Sequence, residues 1–231
     1  LTINLALDNG GDVITQSARI PVAEPQSDPW VTRNAASDEK PVDHQFYARD
    51  DRGQGTLHCN GTLRQSADSV FLKLYADGKL VDTQRQEINA DKTYALSTKL
   101  RAGLIIYRTE FGINRDGLET VLETANDLVC GDVFVIQGQS NAEAWTDERI
   151  VHPYRSSWLR SFGTPSTSRE RARDSVWGSA ISFNGGKNHH HLQIGYWGVE
   201  LGKMLIEKHK IPVCVINGAQ GGTRVDQHQR N

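Results

Sequence analysis

The chain has 231 residues, 37% of them hydrophobic and 23% charged, with a formal net charge of −2 at pH 7. That is enough for one large domain or two smaller ones, and a near-neutral balance without any Lys/Arg block argues against nucleic acid or an anionic membrane surface as the main partner. No apolar run reaches membrane-spanning length.

Leu1 opens the sequence with no initiator Met and no apolar signal segment, as expected of a processed or partial product. Residues 1–40 are expected to form a strand followed by a linker, either an edge strand or the tail of an earlier domain. Ile3, Leu5 and Leu7 alternate with polar residues as in a half-buried strand, and Asn9-Gly10-Gly11-Asp12 ends it in a turn. Pro21, Pro25, Pro29 and Pro41, with Ser, Asp and Asn between them, make the remainder linker-like.

Residues 41–125 have the pattern of an antiparallel β-sandwich of immunoglobulin- or fibronectin-like type. The runs at Val70–Tyr75 and Lys79–Val81 flank Asp77-Gly78, a hairpin turn in which glycine supplies the positive φ. Further strands are expected at Tyr94–Leu100, Leu104–Ile113 and Glu119–Ala125, and the module serves as a spacer or a sugar-binding face. Asn60-Gly61-Thr62 fits both an N-glycosylation acceptor and a hairpin turn, with the turn preferred. Cys59, Cys130 and Cys214 cannot all pair with one another and read as small buried thiols; no CxxC or Cys/His spacing suggests zinc.

From residue 126 to 231 the rhythm becomes α/β. Val133-Phe134-Val135-Ile136 is an unbroken run of strand formers, as in a parallel strand covered on both faces. A Gly- and Arg-rich excursion follows, and then a helical pattern with Trp197, Leu201, Met204 and Leu205 on one side and Glu200, Lys203 and Glu207 on the other. Pro212 stops that helix, and Val213-Cys214-Val215-Ile216 is a second buried strand, giving a βαβ unit. Ser140 sits just past the first strand's carboxyl end, where open α/β sheets place ligands, and Gly218–Thr223 just past the second.

Two blocks carry a resemblance. Gly131-Asp132-Val133 leading to Gly138-Gln139-Ser140-Asn141, and downstream Asn217-Gly218-Ala219-Gln220-Gly221-Gly222-Thr223-Arg224-Val225, resemble in that order the first two blocks of the SGNH hydrolases. The similarity is to the sialate O-acetylesterase-like carbohydrate esterases, and it covers the chain from about Asn126 onward. It implies a three-layer, flavodoxin-like α/β domain behind the β-sandwich and a hydrolase that removes acetyl or another small acyl group from a carbohydrate, without metal or cofactor. It is not the α/β-hydrolase elbow, because position 142 is Ala where G-x-S-x-G needs glycine.

By that resemblance Ser140 is the nucleophile and its backbone N–H one oxyanion donor, with Gly221 or Gly222 giving a second. Gly138, Gln139, Asn141, Thr223 and His228 complete the pocket. The family's third donor block and its Asp-x-x-His block, which holds the base, do not occur in the 231 residues, and the expectation is that they lie in a C-terminal part of the same domain. Asp226 and His228 lie in the glycine block itself, with His228 at the place of an aromatic residue, and so read as pocket or packing groups. His189-His190-His191 read as a polar loop, since three adjacent histidines cannot converge on one ion from a regular element. Trp145, Tyr154, Trp158, Trp177, Phe183 and Tyr196, with Arg149, Arg155, Arg160, Arg169, Arg171 and Arg173, can stack on sugars or grip a carboxylate, or else pack the domain and face solvent.

The expected partner is thus an acetylated glycan, with the remainder of the catalytic domain or a surface complex as others. An exported protein is expected, whether secreted, periplasmic or at the cell surface. The competing reading is a non-catalytic surface, assembly or carbohydrate-binding protein that reuses the fold.

Overall fold

The computed structural model describes residues 2–8, 13–19, 38–143, 151–163, 175–182 and 191–228. The chain divides into two compact units, Leu1–Asn34 and Ala35–Asn231. The first holds a hairpin of β1 (Thr2–Asp8) and β2 (Val13–Arg19), paired antiparallel from Thr2 opposite Arg19 to Asp8 opposite Val13. The expected strand at Ile3–Leu7 falls within β1, while Pro21, Pro25 and Pro29 lie outside the described residues.

The second unit begins with β3 (Phe46–Ala48), β4 (Gln54–Thr62), β5 (Ser69–Ala76), β6 (Lys79–Glu87), β7 (Thr93–Arg101), β8 (Tyr107–Arg115) and the 19-residue β9 (Leu118–Ile136). It continues with α1 (Ser140–Glu143), β10 (Leu159–Gly163), β11 (Val176–Ile181), β12 (His191–Gln193), α2 (Tyr196–His209), β13 (Val213–Asn217) and a 3₁₀ turn at Val225–His228. The β5–β6 hairpin turns on Asp77 and Gly78, at φ of +48° and +78°, as the Asp-Gly pair demands. In β7 every second residue is buried. Tyr94, Leu96 and Leu100 among them, with Leu57 and Cys59 of β4, pack on Val70, Leu72 and Leu74 of β5 and on Phe111 and Ile113 of β8, so that the β4–β7 pair covers one face of the larger sheet.

That larger sheet corrects the expected fold class. It is one mixed sheet of nine strands in the order β12-β11-β10-β13-β9-β8-β5-β6, with β3 also paired to β9, and the described residues hold only two α-helices. A separate three-layer, flavodoxin-like domain does not form. The physical reason lies in β9, which changes partner along its length. It pairs antiparallel with β8 up to Leu128, then parallel with β3 at Val129–Gly131, then parallel with β13 from Asp132 to Ile136. It therefore runs without a break through residues 125 and 126, where the sequence places its boundary.

Among the described residues a helix covers only one face of the β9–β13 end. Ile136, Val213 and Val215 pack with Val199 and Ile206 of α2, whereas Val133 and Val135 on the other face are 39% and 67% exposed. The expectation of a strand buried on both sides is thereby corrected. The buried face of α2 also differs from the expected one. Gly198, Val199, Gly202 and Ile206 point inward, and Trp197 and Met204 are exposed. Two glycines let the helix approach the sheet: a Cβ on Gly202 would stand 2.4 Å from Leu159 Cδ1 of β10, and one on Gly198 3.2 Å from Ile136 Cδ1 of β9.

Asn60-Gly61 is not a turn. Both residues lie within β4, where Asn60 is buried against the bridge to Glu39 and offers no surface for a glycan. The three cysteines are free and buried. Desolvation pushes the thiols of Cys59 and Cys214 up to about 12 and that of Cys130 up to about 11, so the reactive thiolate is suppressed at all three.

Gly131, the first residue of the Gly-Asp-Val block, is required by a close approach. A Cβ there would stand 1.9 Å from the Pro212 carbonyl oxygen, which accepts the Asp132 N–H at 3.1 Å and begins the β9–β13 pairing. Gly131→Ala is expected to cost about 2 kcal/mol, because the clash is with backbone that cannot swing away. Chemical denaturation of the variant measures it, and an unchanged midpoint contradicts so close an approach.

Candidate functional site

The two blocks of the sequence meet at one edge of the sheet. β9 and β13 are parallel neighbours with Ile136 opposite Asn217, so Gln137–Ser140 and Gly218–Thr223 leave the sheet side by side. The turns are joined through the backbone, since Gly218 N–H donates to Ile136 O and Gln220 N–H to Gly138 O, both at 2.9 Å. Asn217 locks the edge further. Its amide donates to Ile194 O at 3.1 Å and lies 3.4 Å from the carbonyls of Ala142 and Glu143, while its Oδ1 accepts from Ala219 N–H at 3.0 Å. One side chain thus fastens α1 and the approach to α2 onto β13.

Ser140 opens α1 and is exposed, and its hydroxyl donates to Gln139 Oε1 at 3.0 Å. Gly221 lies against it. The point where a Gly221 Cβ would stand is 3.7 Å from Ser140 Cβ and 2.9 Å from Glu143 Oε2, so a side chain there would fill the space beside the serine. Gly222 has φ of +76°, the sign a type II turn demands at its third residue. Among the described residues no backbone carbonyl accepts from the N–H groups of Ser140, Gly221 or Gly222. Asn141 is exposed on α1.

Thr223 and His228 form the floor of the second turn. Thr223 Oγ1 donates to Gln220 O at 2.5 Å and lies 2.6 Å from His228 Nε2, and the other ring nitrogen lies 2.5 Å from Gln137 Nε2. Both imidazole nitrogens are therefore engaged with Thr223 and Gln137, and neither is bonded to Ser140. Asp226 is paired with Arg224, which holds its carboxyl below the usual range, and it does not orient His228.

Gln137, Asn217 and Glu143 were not singled out from the sequence as site residues, and neither was the pair His152 and Glu200. Buried His152 bonds Glu200 of α2 through Nε2 at 2.6 Å, and its Nδ1 accepts from Tyr154 N–H at 3.1 Å. That hydrogen bond and nearby Lys203 hold the Glu200 carboxyl below the usual range. The pair ties residues 152–154 to the first turns of α2, where Tyr196 lies 4.7 Å from the His152 ring. A His and a Glu separated by 48 positions give no local signal in a sequence.

Of the aromatic and arginine residues between the blocks, Tyr154, Trp158 and Trp177 pack against apolar clusters, and Tyr196 is exposed at the start of α2. Arg160 is fully buried and pairs with Asp127 at 2.8 Å. Trp145, Phe183, Arg149, Arg169, Arg171, Arg173, His189 and His190 lie outside the described residues. No helix among those described is long and apolar enough to cross a membrane.

No protein-family model matches the chain. No curated protein sequence matches it either. Among solved structures it is similar to a carbohydrate acetylesterase from Xanthomonas citri, with 19% identity and a TM-score of 0.45 over 82% of this chain. The match spans 41% of that enzyme's length.

Proposed function

We propose that this protein is a carbohydrate esterase that removes O-acetyl groups from a sugar through an acyl intermediate on Ser140. The observation supporting this most is the meeting of the two turns: Gly221 lies against Ser140, and among the described residues no backbone carbonyl accepts from the N–H groups of the two glycines and the serine. Those turns are the residues whose sequence resembles the two esterase blocks. In the reaction the Ser140 hydroxyl adds to the acetyl carbonyl, and the carbonyl oxygen becomes an oxyanion held by these N–H groups. Collapse breaks the bond to the sugar oxygen, which leaves with the serine proton. Water then releases acetate and restores the serine. His228 is not the base, and the resemblance puts that role in an Asp-x-x-His block that the 231 residues do not contain.

One observation favours the non-catalytic reading, namely that the Ser140 hydroxyl is bonded to Gln139 and not to a base. Treating the natural full-length polypeptide with a fluorophosphonate probe separates the two. An activated serine bonds the phosphorus and expels fluoride, so the adduct is expected on Ser140 by peptide mass mapping, together with acetate release from acetylated sugars. Neither adduct nor acetate is the result that leaves the fold as a binding module.

A further inference from the structure

Gly221 and Gly222 have no side chains with which to hold their own turn, and glycine backbones are the least restricted of all. Their geometry must be imposed from outside, and a closed ring of hydrogen bonds does so. Thr223 has one hydroxyl proton and gives it to Gln220 O, so its contact with His228 Nε2 requires the imidazole proton to sit on that nitrogen. Nδ1 is then an acceptor and receives the Gln137 amide N–H. The ring closes through Gln220 N–H to the carbonyl of Gly138, the residue next to Gln137. The 3₁₀ turn that brings His228 back onto Thr223 is braced in its turn, by Gln227 N–H on Arg224 O at 3.1 Å and Arg224 N–H on Gln227 Oε1 at 2.7 Å.

We propose that His228 is a positioning residue. Through Thr223 on one side and Gln137 on the other it ties the glycine turn to the end of β9, and so fixes the separation between Ser140 and the N–H groups that receive the oxyanion. The proposal rests on the esterase reading of Ser140. Donors of this kind act only within a few tenths of an ångström of their place, so loss of the brace displaces them without removing them. It therefore lowers turnover more than substrate binding.

The test uses the natural full-length polypeptide with p-nitrophenyl acetate as substrate. His228→Ala is expected to lower kcat by about 10- to 100-fold with KM little changed, less than the loss on deleting a donor outright. His228→Gln is expected to recover most of it, since its Nε2 can reach the position of the imidazole Nε2–H. Thr223→Val should lower kcat similarly, and combining it with His228→Ala should add little, because both break one chain of bonds. Nitrogen NMR of the imidazole should show the proton on Nε2. Wild-type kcat in His228→Ala overturns the positioning role and leaves the esterase reading standing. A loss that comes with a lowered melting temperature and no recovery in His228→Gln also overturns it, in favour of a purely structural part. A wild-type protein that neither hydrolyses the ester nor takes the fluorophosphonate overturns the esterase reading and this proposal with it.

Discussion

Ser140→Ala is expected to lower turnover on an acetyl ester by on the order of 10⁴-fold or more, with the protein still folded. The residual rate comes from substrate binding and the oxyanion N–H groups alone, since alanine leaves both in place while removing the atom that forms the acyl bond. The fold should not notice. The Ser140 side chain is exposed and its hydroxyl is bonded to neighbouring Gln139, so the stability change should stay within about 0.5 kcal/mol. That contrast makes the experiment decisive: steady-state kinetics and a denaturation curve on the same preparation. Retention of a tenth of the wild-type kcat removes Ser140 from the chemistry, whereas equal losses of rate and stability would mean that the turn has collapsed.

The geometry behind that expectation was readable in the sequence to a definite depth. Apolar runs at Val133–Ile136 and Val213–Ile216, with a helix between them, were enough to infer two parallel strands, and parallel neighbours must bring Ser140 and Gly221 to one edge. Asp77-Gly78 fixed its hairpin because its backbone angles are demanded locally. Such features are decided by residues close together in the chain, and a linear pattern records them.

What the pattern could not record is how the strands are continued and covered. Strand β9 read as two strands because Asn126 and Asp127 interrupt its apolar alternation. In the structure they are absorbed by a bulge, where Tyr107 faces Leu128 while Thr109 faces Ala125. The covering of β9 is likewise a tertiary matter, and an apolar run cannot say that Val135 will lie open while Ile136 is buried. Helix α2 misled through its glycines, which a hydrophobic pattern scores as blanks although they mark where the helix packs closest. The His228 network joins residues 91 positions apart, and polar pairing at that separation leaves no periodicity to find.

The bulge in β9 also underlies the second large effect. Asp127 is in the left-handed region at φ of +56°, a conformation that the extra residues of a bulge can take, and from there its carboxylate reaches Arg160 of β10. Arg160 is wholly buried opposite Cys214. Its Nη2 donates to Asp127 Oδ1 at 2.8 Å, and its Nε has no partner among the described residues. The second carboxylate oxygen lies 2.7 Å from His44 Nδ1, and His44 is itself at φ of +63°. A cation sealed at the junction of the antiparallel and parallel parts of the sheet is thus answered by a carboxylate that is one third exposed.

Removing the partner from a buried charge costs about 3–5 kcal/mol, whereas replacing the buried charge by an apolar group of like volume is close to neutral. Asp127→Asn should therefore destabilise by about 3 kcal/mol, at the low end because a third of the Asp127 side chain already meets water. Arg160→Met should cost clearly less, since the carboxylate left behind can hydrate and keeps His44 as a partner. The order of the two variants in urea denaturation is the test. If Arg160→Met proves the more damaging, the guanidinium contributes through packing, and Arg160 is not a buried charge that depends on Asp127 as its counterion.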